Sequence, residues 1–319
     1  MANNRLEMGY VRSKMINDKK NTEIAICIPT YKRYKLLKKL ISSINKNENT
    51  VIIVGNNDNV SVFEDHDFGE ADREKFTEIF VTERGVTAVR NTLIQYCLTE
   101  FVNLQWVVFI DDDQVPSPDW LQELMKVAEK TKADLIGGPV AKVPSIETYW
   151  GEGATNTSYL PVKEGYVDML NEGGNLAIAT AFLRRLERKP FDPNFGKSGG
   201  EDFEFFLFAF KSGAKLAWAP KAEVTEIIPK DRLTLSGLVF RSLSTGMYQT
   251  KAEMKYNTKK DIFYRIMKRL LLLPAYTARD LLKYRRLNVC LSLFVRKLSS
   301  IVGACFGLCD LSISRYGQN

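Results

Sequence analysis

Histidine is almost missing from this chain: one of its 319 residues, His66, carries an imidazole, and it lies in the acidic stretch FEDHDFGEAD. Chemistry that needs a proton acceptor near neutral pH must therefore turn to carboxylates. The five cysteines (27, 97, 290, 305 and 309) are odd in number and lack the paired spacing of a zinc site or a disulfide framework. Cys305 and Cys309, four apart in an apolar segment, read as one face of a core helix, and the set fits a reducing compartment. Residues 1–22 are polar with no apolar centre, so no signal peptide is expected. No run of 18 apolar residues is free of charge, which argues against a conventional membrane span. There is no internal repeat and no low-complexity linker. PTYKRYK, after the first apolar run, has no glycine, which argues against a glycine-rich phosphate loop there.

What is present suits a folded protein: 45% hydrophobic and 26% charged residues. The length suits one large domain, or one with an appendage. The formal net charge of +7 predicts an anionic partner: nucleic acid, a membrane surface or a phosphorylated substrate. The charge is unevenly placed. Residues 251–319 hold fourteen Lys/Arg against four Asp/Glu, a net of +10, so the rest carries −3. The expected division is a polar tail over 1–22, a domain over 23–250 and a basic amphipathic helical region over 251–319.

EIAICIPTY (23–31), TVIIVGNND (50–58), FTEIFVTE (76–83) and LQWVVFID (104–111) read as strands. Between them, KRYKLLKKLISSINKN repeats apolar residues at helical spacing and GVTAVRNTLIQYCLTE reads as a helix after Gly85. SPDWLQELMKVAEK reads as a helix capped by Ser117 with Pro118 at its first position. EDFEFFLFAFKSG reads as a helix closed by Gly213, and AKLAWAP as a strand. Strands alternating with helices imply an α/β fold with a mostly parallel sheet, in which ligands bind beyond the carboxyl ends of the strands. That places Pro29–Thr30, Asn56–Asp58 and Asp111–Asp113 on one rim.

The triplet Asp111–Asp113 follows four apolar residues. A divalent cation removes the mutual repulsion, and carboxylate oxygens suit Mg²⁺ or Mn²⁺, which keep positions for phosphate oxygens. Asp111 and Asp113 share a direction if the strand runs on through them, with Asp112 opposite. The other reading is a solvated turn, since aspartate favours turns and caps. Glu201 and Asp202 open a helix after two glycines. They either compensate the helix dipole or present a general base from a flexible lip.

CIPTYKR (27–33), IIVGNND (52–58), GVTAVRN (85–91), FIDDDQVPSPDWL (109–121), GGN (173–175), GGEDFEFF (199–206) and VTEIIPKDRLTLSGLVFRSLSTG (224–246) occur in this order. The ordered set resembles family 2 glycosyltransferases, in the branch containing bacterial succinoglycan-type glucosyltransferases, and covers about residues 23–250. The resemblance implies a GT-A (Rossmann-like) fold and inverting transfer from a nucleoside-diphosphate sugar, a UDP-sugar first, with Mn²⁺ or Mg²⁺. It places Pro29, Thr30 and Arg33 near the nucleoside, Asp58 near the base, Arg90 near the ribose or phosphates and Asn175 near the transferred sugar. Asp111 meets the ribose and Asp113 the metal; Glu226 stands where relatives often carry a metal-binding histidine, and Asn56 where an aspartate is common. Asp202 becomes the catalytic base, with Glu201 beside it. Arg232 and Arg241 either touch the diphosphate or are solvated.

IFYRIMKRLLLLPAY (262–276) and LNVCLSLFVRKLSSIVGACFGLCDL (287–311) mix apolar and basic residues. They suit interfacial helices on an anionic membrane surface, at the cytoplasmic face, where a glycan or lipid-linked acceptor would be met; the alternative is packing on the body. The interleaving of charge with apolar runs speaks against nucleic acid as partner. A nucleotidyltransferase and a non-catalytic nucleotide-sugar-binding protein are the rival classes.

Overall fold

The computed structural model describes residues 10–12, 21–45, 47–64, 68, 74–157, 160–196 and 199–311. His66 and most of the polar stretch 1–22 lie outside the described residues. The chain forms two compact units. The first gathers residues up to 140 with 160–196 and 208–226; the second gathers 141–159, 197–207 and 227 onward.

The first unit is built on a nine-stranded sheet. Its strands are β1 (Tyr10–Arg12), β2 (Ile24–Thr30), β3 (Thr50–Asn56), β4 (Thr77–Val81), β5 (Trp106–Ile110), β7 (Leu135–Gly137), β9 (Gly165–Val167), β10 (Asn175–Ala179) and β11 (Leu216–Trp218). The order is β1-β4-β3-β2-β5-β10-β7-β11-β9. The run β4-β3-β2-β5 is parallel throughout, and β10 lies antiparallel between β5 and β7. Two further strands, β6 (Gln114–Pro116) and β12 (Val224–Ile228), pair antiparallel with each other, and β8 (Val140–Pro144) runs into the second unit.

The central strands are almost continuously apolar because both faces are covered. Ile26, Ile28, Val54, Val108 and Ile110 lie in a core closed on one side by α1 (Tyr34–Ser43) and α3 (Trp120–Thr131). Leu37, Leu40 and Ile41 form the buried stripe of α1. Another long helix of this unit, α2 (Val86–Glu100), buries Val89, Leu93, Ile94 and Tyr96. The N-cap of α3 is Asp119 rather than the expected Ser117, whose carbonyl accepts from Trp120 N–H and whose own N–H donates to Glu223 O.

Parallel pairing of β2 with β5 ends at Cys27–Phe109, while pairing with β3 continues to Thr30–Asn56. Thr30 O accepts from Asn57 on the β3 side. Alternation along the strand therefore turns residue 29 toward β5, where pairing has ended, and proline's missing N–H costs no ladder bond. Beyond that point the two strands part. Chain order also reverses there, since β2 is followed on one side by β3 and flanked on the other by β5. This is the switch point at which open α/β sheets hold ligands.

The second unit is mostly helical. Helix α4 (Glu201–Lys211) begins in it, followed by α5 (Leu235–Glu253), α6 (Lys259–Tyr284) and α7 (Leu287–Leu308). Thr234 and Thr258 cap α5 and α6 by accepting from Gly237 N and Asp261 N. Helices α5 and α7 meet backbone on backbone. A Cβ on Gly303 would lie 1.9 Å from Leu243 O, and one on Gly246 1.9 Å from Ser300 O. The packed face of α7 is thus the small-residue face of Gly303, Ala304 and Gly307, and the expected Cys305/Cys309 face is exposed instead.

Candidate active site

The acidic rim starts where β5 stops. The strand does not continue through the triplet: Gln114 N–H donates to Asp111 O, and Asp111 N–H to Gln114 Oε1, closing a turn. The turn redirects the middle carboxylate. Asp112 is buried beside β2, accepting from Thr30 Oγ1 at 2.8 Å and Arg33 Nη1 at 3.2 Å. Arg33 also reaches Asp113 at 2.9 Å. Burial pushes the Asp112 carboxyl up to about 7, against the opposing pull of Arg33 and Thr30. Burial would lower the Arg33 guanidinium, yet Asp112 and Asp113 raise it on balance.

Asp111 is held from α2 by Arg90 at 3.1 Å. The Arg90 guanidinium is buried, with the Phe109 and Phe191 rings 5.7 and 5.4 Å away. Gly174 leaves room for this carboxylate, since a Cβ there would fall 2.3 Å from Asp111 Oδ2. Glu226 pairs in register with Gln114 through β12 and β6, which sets it alongside the turn.

The end of β3 forms a second part of the rim. Asp58 accepts from Tyr34 Oη at 3.1 Å, and its N–H donates to Asn56 Oδ1. Burial, then Asp58, pushes the Tyr34 hydroxyl up to about 12. Asn57 ties the turn to the loop before α2, donating to Val81 O and Glu83 O and accepting from Gly85 N. Tyr31 is exposed, with the Arg84 guanidinium 5.1 Å from its ring centre.

Asn175 has no exposed surface. Its Oδ1 accepts from Trp120 Nε1 at 2.8 Å, and its Nδ2 donates to Pro139 O and Ala222 O. In the structure its side chain is a strut between β10, α3 and two loops. The structure thus brings Thr30, Arg33, Arg90, Asp111 and Asp113 together, sets Asp58 on the neighbouring strand end, and encloses Asn175.

Glu201 and Asp202 open α4 in the second unit, Glu201 buried and Asp202 half-buried. Asp202 Oδ1 accepts from Phe203 N at 2.7 Å. Gly200, just before them, has φ +88, and a Cβ there would fall 2.1 Å from the Tyr248 ring; only glycine fits on both counts. Glu204, fully buried one turn on, accepts from Lys255 at 2.5 Å and from Tyr256 Oη at 2.7 Å. Arg232 and Arg241 are half-buried in this unit.

The alternation expected of Asp111–Asp113 holds only for a strand that runs on, and β5 ends at Ile110; Tyr31, Gln114 and Gly174 carry no sequence signal of their own. The run Gln114-Val115-Pro116 after the triplet was the available sign that the chain turns at Asp111.

Among the described residues no three or more His, Cys, Asp or Glu side chains gather closely enough to cage an ion. The rim still fits a cation of the Mg²⁺ or Mn²⁺ kind, which binds through one or two carboxylates and takes its remaining ligands from phosphate oxygens and water. Asp111 and Asp113 both retain exposed surface for this.

A parallel β4-β3-β2-β5 core with an acidic turn after β5 and helices on the sheet defines the GT-A class. The sequence profile of glycosyl transferase family 2 matches residues 25–194, and the chain belongs to that family. It is 28% identical over 249 residues to the succinoglycan biosynthesis protein ExoM of Rhizobium meliloti (strain 1021), covering 73% of this chain and 75% of that protein. The fold is similar to that of GalNAc-T7, crystallised with UDP, GalNAc and Mn²⁺ (TM-score 0.57, 15% identity, 79% of this chain). The match spans about half of that chain, 51%. It is also similar to residues 1–349 of S. aureus TarS in complex with UDP (TM-score 0.51, 13% identity, 87% of this chain and 91% of that one).

Proposed function

We propose that the chain is an inverting, metal-dependent hexosyltransferase. It moves a sugar from a nucleoside-diphosphate sugar, a UDP-sugar first, to a hydroxyl of a glycan or lipid-linked acceptor. The process served is bacterial-type surface polysaccharide synthesis, at the cytoplasmic face of a membrane. The observation that carries this reading is the β2/β5 switch point, where Asp111 and Asp113 share one rim with Arg33 and Arg90. The succinoglycan relative supports the process, and the UDP-bound neighbours support the donor.

Tyr31 offers an exposed ring for stacking, and Asp58, oriented by Tyr34, accepts from the base. Asp111 accepts from the ribose hydroxyls. Asp113 with Asp111, and with Glu226 alongside, would hold Mn²⁺ or Mg²⁺, which would supply charge neutralisation for the leaving diphosphate. Arg33 and Arg90 are cations already oriented on the rim, so they respond to that charge without rearranging. Asp202 takes the proton of the acceptor hydroxyl, with Glu201 beside it. The acceptor oxygen bonds to the anomeric carbon as the bond to the diphosphate breaks, and one displacement inverts that centre.

The test is a thermal-shift panel of nucleoside diphosphates with and without Mn²⁺, since ligands of the folded state raise its melting temperature. The expected result is a shift for UDP that grows with Mn²⁺. Asp202→Asn should keep that shift and lose on the order of 10²–10⁴ in turnover. A panel without any nucleotide response refutes the reading.

A further inference from the structure

Mean hydropathy singles out α7: at 22 residues and 1.6 it is long and apolar enough to cross a membrane. The structure directs attention to its neighbour. Helix α7 carries Arg296 and Lys297 near its middle, and both are engaged within the second unit. Arg296 donates to Gly153 O and Asn156 O at 2.9 and 3.1 Å, and Lys297 pairs with buried Asp280. Crossing a bilayer would break these bonds and carry two cations into hydrocarbon.

Helix α6 has the opposite design. Ile262, Ile266 and Leu273 bury one face against Ile301 and Ala304 of α7. On the other side, at about 3.6 residues per turn, Tyr264, Lys268, Leu271, Ala275, Ala278 and Leu282 fall along one line. Tyr264, Leu271 and Leu282 are 70%, 80% and 77% exposed. Exposed Phe263, Leu270 and Leu281 widen the line on one side, exposed Arg279 and Lys283 border it on the other, and exposed Lys260 and Lys268 lie on the line itself toward its start. Past Asp261 the only acid in the helix is Asp280, which is buried. An apolar strip interleaved with and edged by cations matches the boundary between acyl chains and anionic headgroups.

We propose that α6 is the membrane seat, lying flat in the interface of an anionic bilayer on its Tyr264–Leu271–Leu282 line, with α7 kept inside the fold. The proposal rests on the membrane reading above and refines it to one helix face.

The test is co-sedimentation of the full chain with vesicles of phosphatidylglycerol and phosphatidylcholine, or of phosphatidylcholine alone. The wild type should pellet with the anionic vesicles and be released by alkaline carbonate. Leu271→Glu with Leu282→Glu should weaken binding at least about tenfold while circular dichroism stays unchanged. Lys268→Glu with Lys283→Glu should remove at least about thirtyfold of the preference for anionic vesicles, at the usual contribution of a basic residue near such a surface for each of the two. Leu298→Glu with Val302→Glu, on α7, should bind like wild type. If the α7 pair loses binding and the α6 pair keeps it, the seat is misassigned and the membrane reading stands. Carbonate-resistant binding overturns the flat geometry, and a wild type that stays in the supernatant overturns both. Light scattering without lipid that shows a dimer dissociated by the leucine pair would assign the face to a second copy and overturn the seat. None of these readouts needs donor or turnover, so they are independent of the transferase assignment.

Discussion

Asp112 is the least solvated carboxylate of the rim, and its charge state is set by burial. Below about pH 4 the group is protonated in both the folded and unfolded chain. Between there and about 7 the unfolded chain releases the proton while the folded one keeps it. The folded state then binds more protons, so this group's contribution to stability falls as pH rises through that window and levels off above it. In chelator, wild-type stability should therefore decline from pH 4 to 7 relative to Asp112→Asn, by at most on the order of 4 kcal/mol. Urea denaturation across that range checks it, and parallel profiles would show the carboxyl ionised throughout. Asp113 faces the opposite situation, part-exposed and paired with Arg33. Asp113→Asn should keep the fold but lose at least about tenfold of the Mn²⁺-assisted affinity for UDP, measured calorimetrically. The chemistry of this rim was legible as three acids after an apolar run. Which acid is buried was not, because that depends on a turn bond from Gln114 that residue alternation does not reveal.

Helix α4 shows how an element can be fixed at its start. Tyr248 of α5 packs over Gly200, and Lys255 with Tyr256 grips Glu204, so both sides of the Glu201–Asp202 pair are pinned by one neighbouring segment. Tyr256→Phe should cost about 1 kcal/mol and Glu204→Gln about 1–3 kcal/mol, read from urea midpoints. Under the transferase assignment both should lower kcat more than they raise KM for donor, because the base is misaligned while the rim is untouched. Helix α4 itself was readable from its apolar run and Gly213. So were β2, β3, β5 and α1, whose apolar spacing is local. The strand β10 was harder: five residues after a glycine pair give no period, and its place between β5 and β7 is a long-range pairing.

On the scale of the whole chain, composition located the basic excess beyond residue 250 but not the company it keeps. The unit that contains α6 and α7 also takes in 141–159 and 197–207. Ile301 and Ala304 fill a core with Ile262, Ile266 and Leu273. Ending the chain near Tyr256 removes that core and uncovers the Gly246 face of α5. The truncated protein should bind a hydrophobic dye and lose a large share of its helical signal, where a detachable tail would leave a stable remainder.

The bonds from Arg296 to Gly153 O and Asn156 O join positions 143 and 140 residues apart. At about 5–20 residues per second on the ribosome, the segment 153–156 waits roughly seven to thirty seconds for its partner. By then every segment of the first unit, which ends at Glu226, has been made. A nascent chain can thus close its sheet early while the second unit stays open, leaving a window in which chaperones rather than folding kinetics guard its apolar helices.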